Sequence, residues 1–266
     1  MRGFDYDILK QTAHRPWPMP NGPWVMTQTW HDLLFAHWRV SAAQIRAKVP
    51  ADFTIDLFDG SAWLGIVPFH MTNVAPRGVP ALPWVSEFPE LNVRTYVRVA
   101  DEPGIFFFSL DAGSALAVHA ARTMLNLPYF TASMVVSSNR DGVHYESRRD
   151  GAGADAEFRA TYAPEGPTFV ASPGSLEYFL TERYCFYNLN HHGEPYRLDI
   201  HHPPWPLRLA RAEFSVNTMA HVHGIALPDE PPLLHFADRQ DMVAWMPLSL
   251  VRRTDFALQP SMETEG

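Results

Sequence analysis

The sequence predicts an α+β protein built on a large antiparallel sheet or barrel, and three observations lead there. Segments alternating apolar and polar residues recur along most of the chain. Only two or three segments carry helix signals, and strands and helices do not alternate as βαβ units would require. With 46% hydrophobic and 19% charged residues over 266 positions, the composition is that of a folded protein with a sizeable core. No repeat, low-complexity linker or heptad array divides the chain, so one domain spanning 1–266 is expected, with an extended Pro- and Trp-rich arm over about residues 1–25.

The elements follow in order. "TWHDLLFAHWRV" reads as a strand, and "SAAQIRAKVP" as a short helix capped by Ser41 and stopped at Pro50. "FTIDLFDGSAWLGIVPFHMTNV" carries Asp59-Gly60 between two alternating runs, a hairpin signal. "PELNVRTYVRV" is the next strand, and Asp101-Glu102-Pro103-Gly104 turns the chain into "IFFFSLDA". "SALAVHAARTMLN", rich in Ala and Leu, is the clearest helix. Strands follow at "FTASMVVSSN", "GVHYESRR" and "AEFRATYAP", with "DGAGADA" as a loose hairpin tip. A second longer helix starts near Ser175, and "YRLDIHH", "LRLARAEFSV" and "HVHGIAL" read as strands; the tail "FALQPSMETEG" should fray.

The net charge of −8 argues against nucleic acid as a partner. No apolar run approaches the ~18 residues of a membrane helix, and the start lacks a signal-peptide core. One cysteine, Cys185, cannot make an internal disulfide, and its aromatic flanks favour a buried thiol over a nucleophile. A cytoplasmic protein without membrane contact is the expectation, and homo-oligomerisation is left open.

Phosphate loops, dinucleotide fingerprints and the Gly-x-Ser-x-Gly elbow are all missing, so no cofactor is expected. Thirteen histidines include His221-x-His223, the pair best spaced to share a strand face, yet no cysteine joins them and no metal is expected. His70 shares a strand side with Leu64, Ile66 and Pro68, which makes it either a core histidine or a pocket proton carrier. The strand at 89–99 is the most unusual. Glu90, Asn92, Arg94 and Tyr96 alternate with Leu91, Val93, Thr95 and Val97, so an acid, an amide, a guanidinium and a phenol share one side.

"WHDLLFAHW", "FPELNVRTYV", "ARTMLNLPY", "LTERYCFY" and "HHPPWPL" together resemble the YqjF-like family of uncharacterised bacterial proteins, within the acetoacetate decarboxylase-like superfamily. That resemblance covers nearly the whole chain; a weaker one to acetoacetate decarboxylases themselves rests on "WRVSAAQIRAKVPADFTIDLFDG" and "ARTMLNLPYFTAS". It implies a strongly bent antiparallel structure enclosing a cavity, with helices outside. It also implies a reactive lysine after the helix, followed by a second lysine, but aligned on Pro128 these positions are Tyr129 and Phe130. A phenol cannot form an imine, and the chain's two lysines, Lys10 and Lys48, lie in the arm and on an outer helix. Acetoacetate decarboxylase activity is therefore not expected.

What the resemblance leaves is a cavity lined by Glu90, Asn92, Arg94, Tyr96 and Tyr129, with His70 and Glu87 nearby. Glu90, Arg94, Tyr129 and His70 are the catalytic candidates; Glu87, Asn92 and Tyr96 are the ligand-binding ones. Two function classes stay open: an imine-free lyase, isomerase or cyclase on a small carbonyl or carboxylate compound, and a non-enzymatic protein that binds or senses a hydrophobic or aromatic metabolite. A buried network that only fixes the fold is the structural alternative.

Overall fold

A computed structural model describes residues 3–81, 86–151 and 155–251. The chain runs through β1 (Met26–Val40), α1 (Ala42–Arg46), β2 (Thr54–Ile55), β3 (Ala62–Pro76), β4 (Phe88–Val99) and β5 (Glu102–Ala112). It continues through α2 (Ala115–Leu125), β6 (Tyr129–Asn139), β7 (Gly142–Arg149), β8 (Glu157–Phe169), α3 (Leu176–Thr181) and β9 (Cys185–Leu189). β10 (Pro195–His201), β11 (Leu207–Asn217), β12 (Leu233–Ala244) and β13 (Leu248–Ser249) complete it. Serine side chains start all three α-helices, Ser41, Ser114 and Ser175 each accepting a hydrogen bond from the backbone N–H three residues on.

The thirteen strands form one sheet in the order β13-β10-β9-β5-β6-β7-β8-β11-β12-β1-β3-β4-β2, and two further pairings, β4–β5 and β10–β12, close it on itself. Most neighbours are antiparallel, but β5 pairs in parallel with both β6 and β9. The expectation of an antiparallel sheet is corrected at those two places: α2 lies between β5 and β6, the helical crossover that a parallel pair needs.

Other local readings are also corrected. Asp59 and Gly60 do turn with positive φ, but only the Phe58↔Ser61 bridge closes there, and β2 pairs with β4 instead of β3. "HVHGIAL" is not a strand: His221–His223 is one 3-10 turn, ended by Gly224 in the left-handed region. β9 and β12 carry no clear alternation, since both are mostly buried on both faces. The tip at 152–154 and the tail from 252 lie outside the described residues, as do residues 82–85 of the loop before β4.

Alternation along the central strands feeds two cores. On β3, Trp63, Val67, Phe69 and Met71 join one cluster, and Ala62, Leu64 and Ile66 the other. On β4, Leu91, Val93 and Val97 belong to the second cluster, whereas Tyr96 belongs to the first. β4 is thus buried on both sides, and its polar row points into the inner cluster. The register of β1 on β3 slips by one residue between His31 and Ala36, where Asp32 takes φ 51°, and Trp30 before it and Leu33 and Phe35 after it all reach that same inner cluster.

Candidate functional site

The polar row of β4 is fixed by its neighbours on both sides. Glu90, Asn92 and Arg94 stand opposite Phe69, Val67 and Gly65 of β3, and opposite Ala112, Leu110 and Phe107 of β5. Directly opposed residues share a face, so these side chains surround one space. It is a cavity of about 70 Å³ between β4, β1, β10 and the end of α3, lined by Glu90, Asn92, Arg94 and Tyr129 among largely apolar neighbours. At roughly 10–15 Å³ per water, it has room for about five waters or an acid of similar size.

Gly65 makes room for the row. A Cβ there would stand 3.1 Å from the His37 ring and 3.2 Å from Cγ of Arg94, tighter than ordinary contact. Arg94 is buried, lies over the rings of Phe35 and Tyr96, and donates one hydrogen bond, to the Leu180 carbonyl at 3.3 Å. Its Nε has no partner, and among the described residues no carboxylate is within ion-pair distance of it. The nearby Asp56 is engaged by Arg183 at 2.7 Å and by Arg98 at 3.7 Å. Arg183, which also lines the cavity, thus has its counter-charge, while Arg94 has none among the described residues.

Glu90 is 3% exposed, and burial raises its carboxyl to a pKa of about 8, helped by the charge of Asp111 and opposed by the hydrogen bond from Tyr129. The Tyr129 hydroxyl donates to Oε2 of Glu90 at 2.7 Å, and its own pKa is pushed well up by burial and by that carboxylate. Below about pH 8 the pair is neutral: a carboxylic acid beside a phenol. Asn92 sits between Glu90 and Arg94 with its Oδ1 buried and unpartnered.

Tyr96 is buried but does not line the cavity; its hydroxyl lies 2.7 Å from Nε2 of His37 and donates to the Leu180 carbonyl at 2.8 Å. It packs beneath Arg94 as part of the wall. The structure does not bring His70 and Glu87 to the cavity. His70 stands opposite Pro89 in the register, one residue off the row, so strand parity turns it to the other side of the sheet. There it faces the exposed Glu87 at 3.7 Å and is itself only half-buried, a correction to the expected core position.

Sequence reasoning missed the opposite wall. Arg183, His202, Trp205 and Trp30 line the cavity as well. His202 is held near the carbonyls of Pro203 and Arg183, and burial lowers its pKa to about 4. Trp205 stacks on Trp30 with centroids 5.8 Å apart, and its Nε1 is buried without a partner. A signal was present: each of the five stretches carrying the family resemblance contributes at least one lining residue. Alternation could not find them, because His202 and Trp205 stand in an irregular, proline-rich segment.

Neither lysine lines the cavity: Lys10 pairs with Asp7 in the arm, and Lys48 is exposed after α1. Cys185 is buried, and desolvation raises its thiol to about 12. His223 packs its Nε2 3.0 Å from the Ser109 hydroxyl, and His221 lies in the same 3-10 turn. Among the described residues no group of three or more His, Cys, Asp or Glu side chains is placed so that it could hold a metal ion.

Residues 27–241 match the model of the DUF2071 family, described as an uncharacterized conserved protein. The chain belongs to this family. The DUF2071 chain is 48% identical to the "Uncharacterized protein YqjF" of Bacillus subtilis (strain 168) over 227 residues, 85% of this chain and 93% of that one. Solved structures with the same fold include the enduracididine biosynthesis enzyme MppR complexed with pyruvate, at TM-score 0.57 and 10% identity, covering 88% of this chain and 93% of that one. The acetoacetate decarboxylase of Legionella pneumophila matches at TM-score 0.56 and 13% identity, covering 94% and 97%. The DUF2071 chain therefore has the acetoacetate decarboxylase-like fold, the fold that its sequence resemblance implied. Among the described residues no helix is long and apolar enough to cross a membrane.

Proposed function

We propose that the protein binds a small carboxylic acid in this cavity, with the carboxylate on Arg94, and that Glu90 exchanges a proton with the bound compound. The observation that carries this reading is the charge pattern of one small cavity. It holds a buried guanidinium without an anionic partner among the described residues, and a carboxyl that stays protonated up to about pH 8. A buried charge left unpaired is costly, and a bound carboxylate would relieve that cost with charge-assisted hydrogen bonds.

The chemistry follows from who holds protons. Tyr129 donates to Oε2 of Glu90, which leaves Oε1 to carry the acidic proton. A neutral carboxylic acid buried in a cavity wall is a general acid suited to a carbonyl oxygen; once ionised, it is a base for the adjacent C–H. That supports hydration, dehydration, isomerisation or ring closure beside a carbonyl, in which the substrate is not held as an imine. MppR's complex with pyruvate supports a small keto acid as a ligand class for this fold.

Thermal shift with pyruvate and phenylpyruvate, on wild type and on Arg94→Ala, tests the binding half. Stabilisation of wild type that disappears in the variant is expected; equal shifts in both would remove Arg94 from the role. A second reading, ligand binding without turnover, rests on the aromatic part of the wall, Trp30, Phe69 and Trp205. Deuterium exchange into the methyl group of pyruvate, followed by proton NMR, separates the two. Exchange that needs Glu90 supports catalysis, and binding without exchange supports the second reading.

A further inference from the structure

We infer that Asn92 and Trp205 are the specificity-determining residues of this cavity, and that they select 2-hydroxy acids, whose hydroxyl both donates and accepts, over 2-oxo acids and plain fatty acids. The inference rests on the reading of Arg94 as the carboxylate site.

Three side-chain atoms on the cavity wall are buried without a hydrogen-bond partner: Oδ1 of Asn92, Nε of Arg94 and Nε1 of Trp205. Buried polar groups are nearly always satisfied, so three unpaired ones around one space describe what the occupant must supply. Trp30, Thr181 and Arg183 of the wall are already engaged. Trp30 gives its indole N–H to Gln28 at 2.8 Å, Thr181 gives its hydroxyl to the Glu177 carbonyl at 2.8 Å, and Arg183 is paired with Asp56.

Placement gives the class. Asn92 lies two residues before Arg94 on the same face of β4, about 6.6 Å away along the strand. Its side chain is short, so it meets the part of a ligand just beyond a carboxylate held by Arg94. Trp205 reaches the same end of the cavity from across it: its ring packs edge-on against Phe35 at 4.8 Å, and Phe35 is the ring beneath the Arg94 guanidinium. An indole N–H can only donate, whereas an amide can donate or accept. The unpartnered atom of Asn92 is Oδ1, which only accepts: a 2-hydroxyl accepts from Trp205 while donating to Oδ1, whereas a 2-oxo group accepts from Trp205 and leaves Oδ1 without a donor. A plain fatty acid leaves both residues unsatisfied, and a site built around hydrogen bonds rejects such analogues strongly.

Isothermal titration with pyruvate, lactate and propionate, three acids of nearly one size, tests this. Wild type should bind lactate at least tenfold more tightly than propionate, with pyruvate between the two. Asn92→Leu and Trp205→Phe should each shrink that ratio. Binding of all three acids with equal affinity to wild type overturns the inference and leaves the Arg94 reading standing. No binding of any acid overturns both. Because the wild-type ratio is itself decisive, a variant that fails to fold does not protect the idea. If both variants fold and the ratio survives in both, the selection lies elsewhere and the assignment of these two residues is wrong.

Discussion

Tyr129 donates a 2.7 Å hydrogen bond to Glu90 across the intervening strand β5, joining the end of β4's polar row to the start of β6. The phenol stands where the family resemblance leads one to look for an amine. Instead of a cation that would hold Glu90 ionised, it supplies a neutral donor, and burial keeps the carboxyl protonated. The predictions below begin from that relationship.

Glu90 should make the protein less stable as pH rises. Its folded pKa, about 8, lies above the ordinary 4.5. Between these values the unfolded chain releases a proton that the folded chain keeps. Stability therefore falls from pH 4.5 to about 8 and is flat with respect to this group above that. Glu90→Gln removes the effect while leaving Tyr129 an acceptor. In urea titrations the variant should match wild type near pH 4.5 and exceed it at pH 8 by a few kcal/mol, at about 1.4 kcal/mol per unit. Parallel pH curves for the two proteins would refute the raised pKa.

On the proposed reading, catalysis should lose Glu90's acid form as the pH rises past about 8. Deuterium exchange into pyruvate should decline by more than tenfold in Glu90→Gln, with pyruvate binding retained. Unaltered exchange in that variant would assign the proton transfer to another group.

The Asp111–Arg149 pair behind Glu90 should matter strongly for folding. Arg149 reaches both carboxylate oxygens, at 2.6 Å for the shortest contact, and both side chains are almost fully buried. Its guanidinium also lies 3.9 Å over the Phe130 ring. Arg149→Met leaves the Asp111 charge without its partner, which should cost about 3–5 kcal/mol. A loss below about 1 kcal/mol in chemical denaturation would show that water reaches Asp111 and that the pair is not sealed.

Gly104 should tolerate no side chain. A Cβ there would come within 2.6 Å of the Tyr187 ring and 2.9 Å of the Cys185 carbonyl, where β5 meets β9. Gly104→Val should destabilise by about 1–3 kcal/mol through overpacking. Wild-type stability in that variant would mean that β9 is not held this closely.

Much of this was legible in the residues. Alternation gave β1, β4 and most of the outer strands, serine caps gave the helix starts, and the row Glu90, Asn92, Arg94 announced a polar face because acid, amide and guanidinium seldom line up on a strand without a shared surround. The resemblance supplied the fold and the expectation of a cavity, and Tyr129 at the expected lysine position led to the expectation of a site without an imine.

Other features depend on pairings between residues far apart in the chain. Whether the row faced water or an interior was settled by β3 and β5 packing on both sides of β4, and by the parallel pairings of β5 that period-two patterns do not encode. His70 left the site because parity on β3 turns it to the opposite face, and Tyr96 left it because its hydroxyl is held by His37 and the Leu180 carbonyl. Trp205 and His202 entered it from an irregular segment that has no period to read. Sequence alone thus determined which polar side chains share a face and on which strand they alternate. Tertiary structure decided which of them meet, because burial, unpaired polar atoms and the raised pKa of Glu90 arise only when distant strands close around one space.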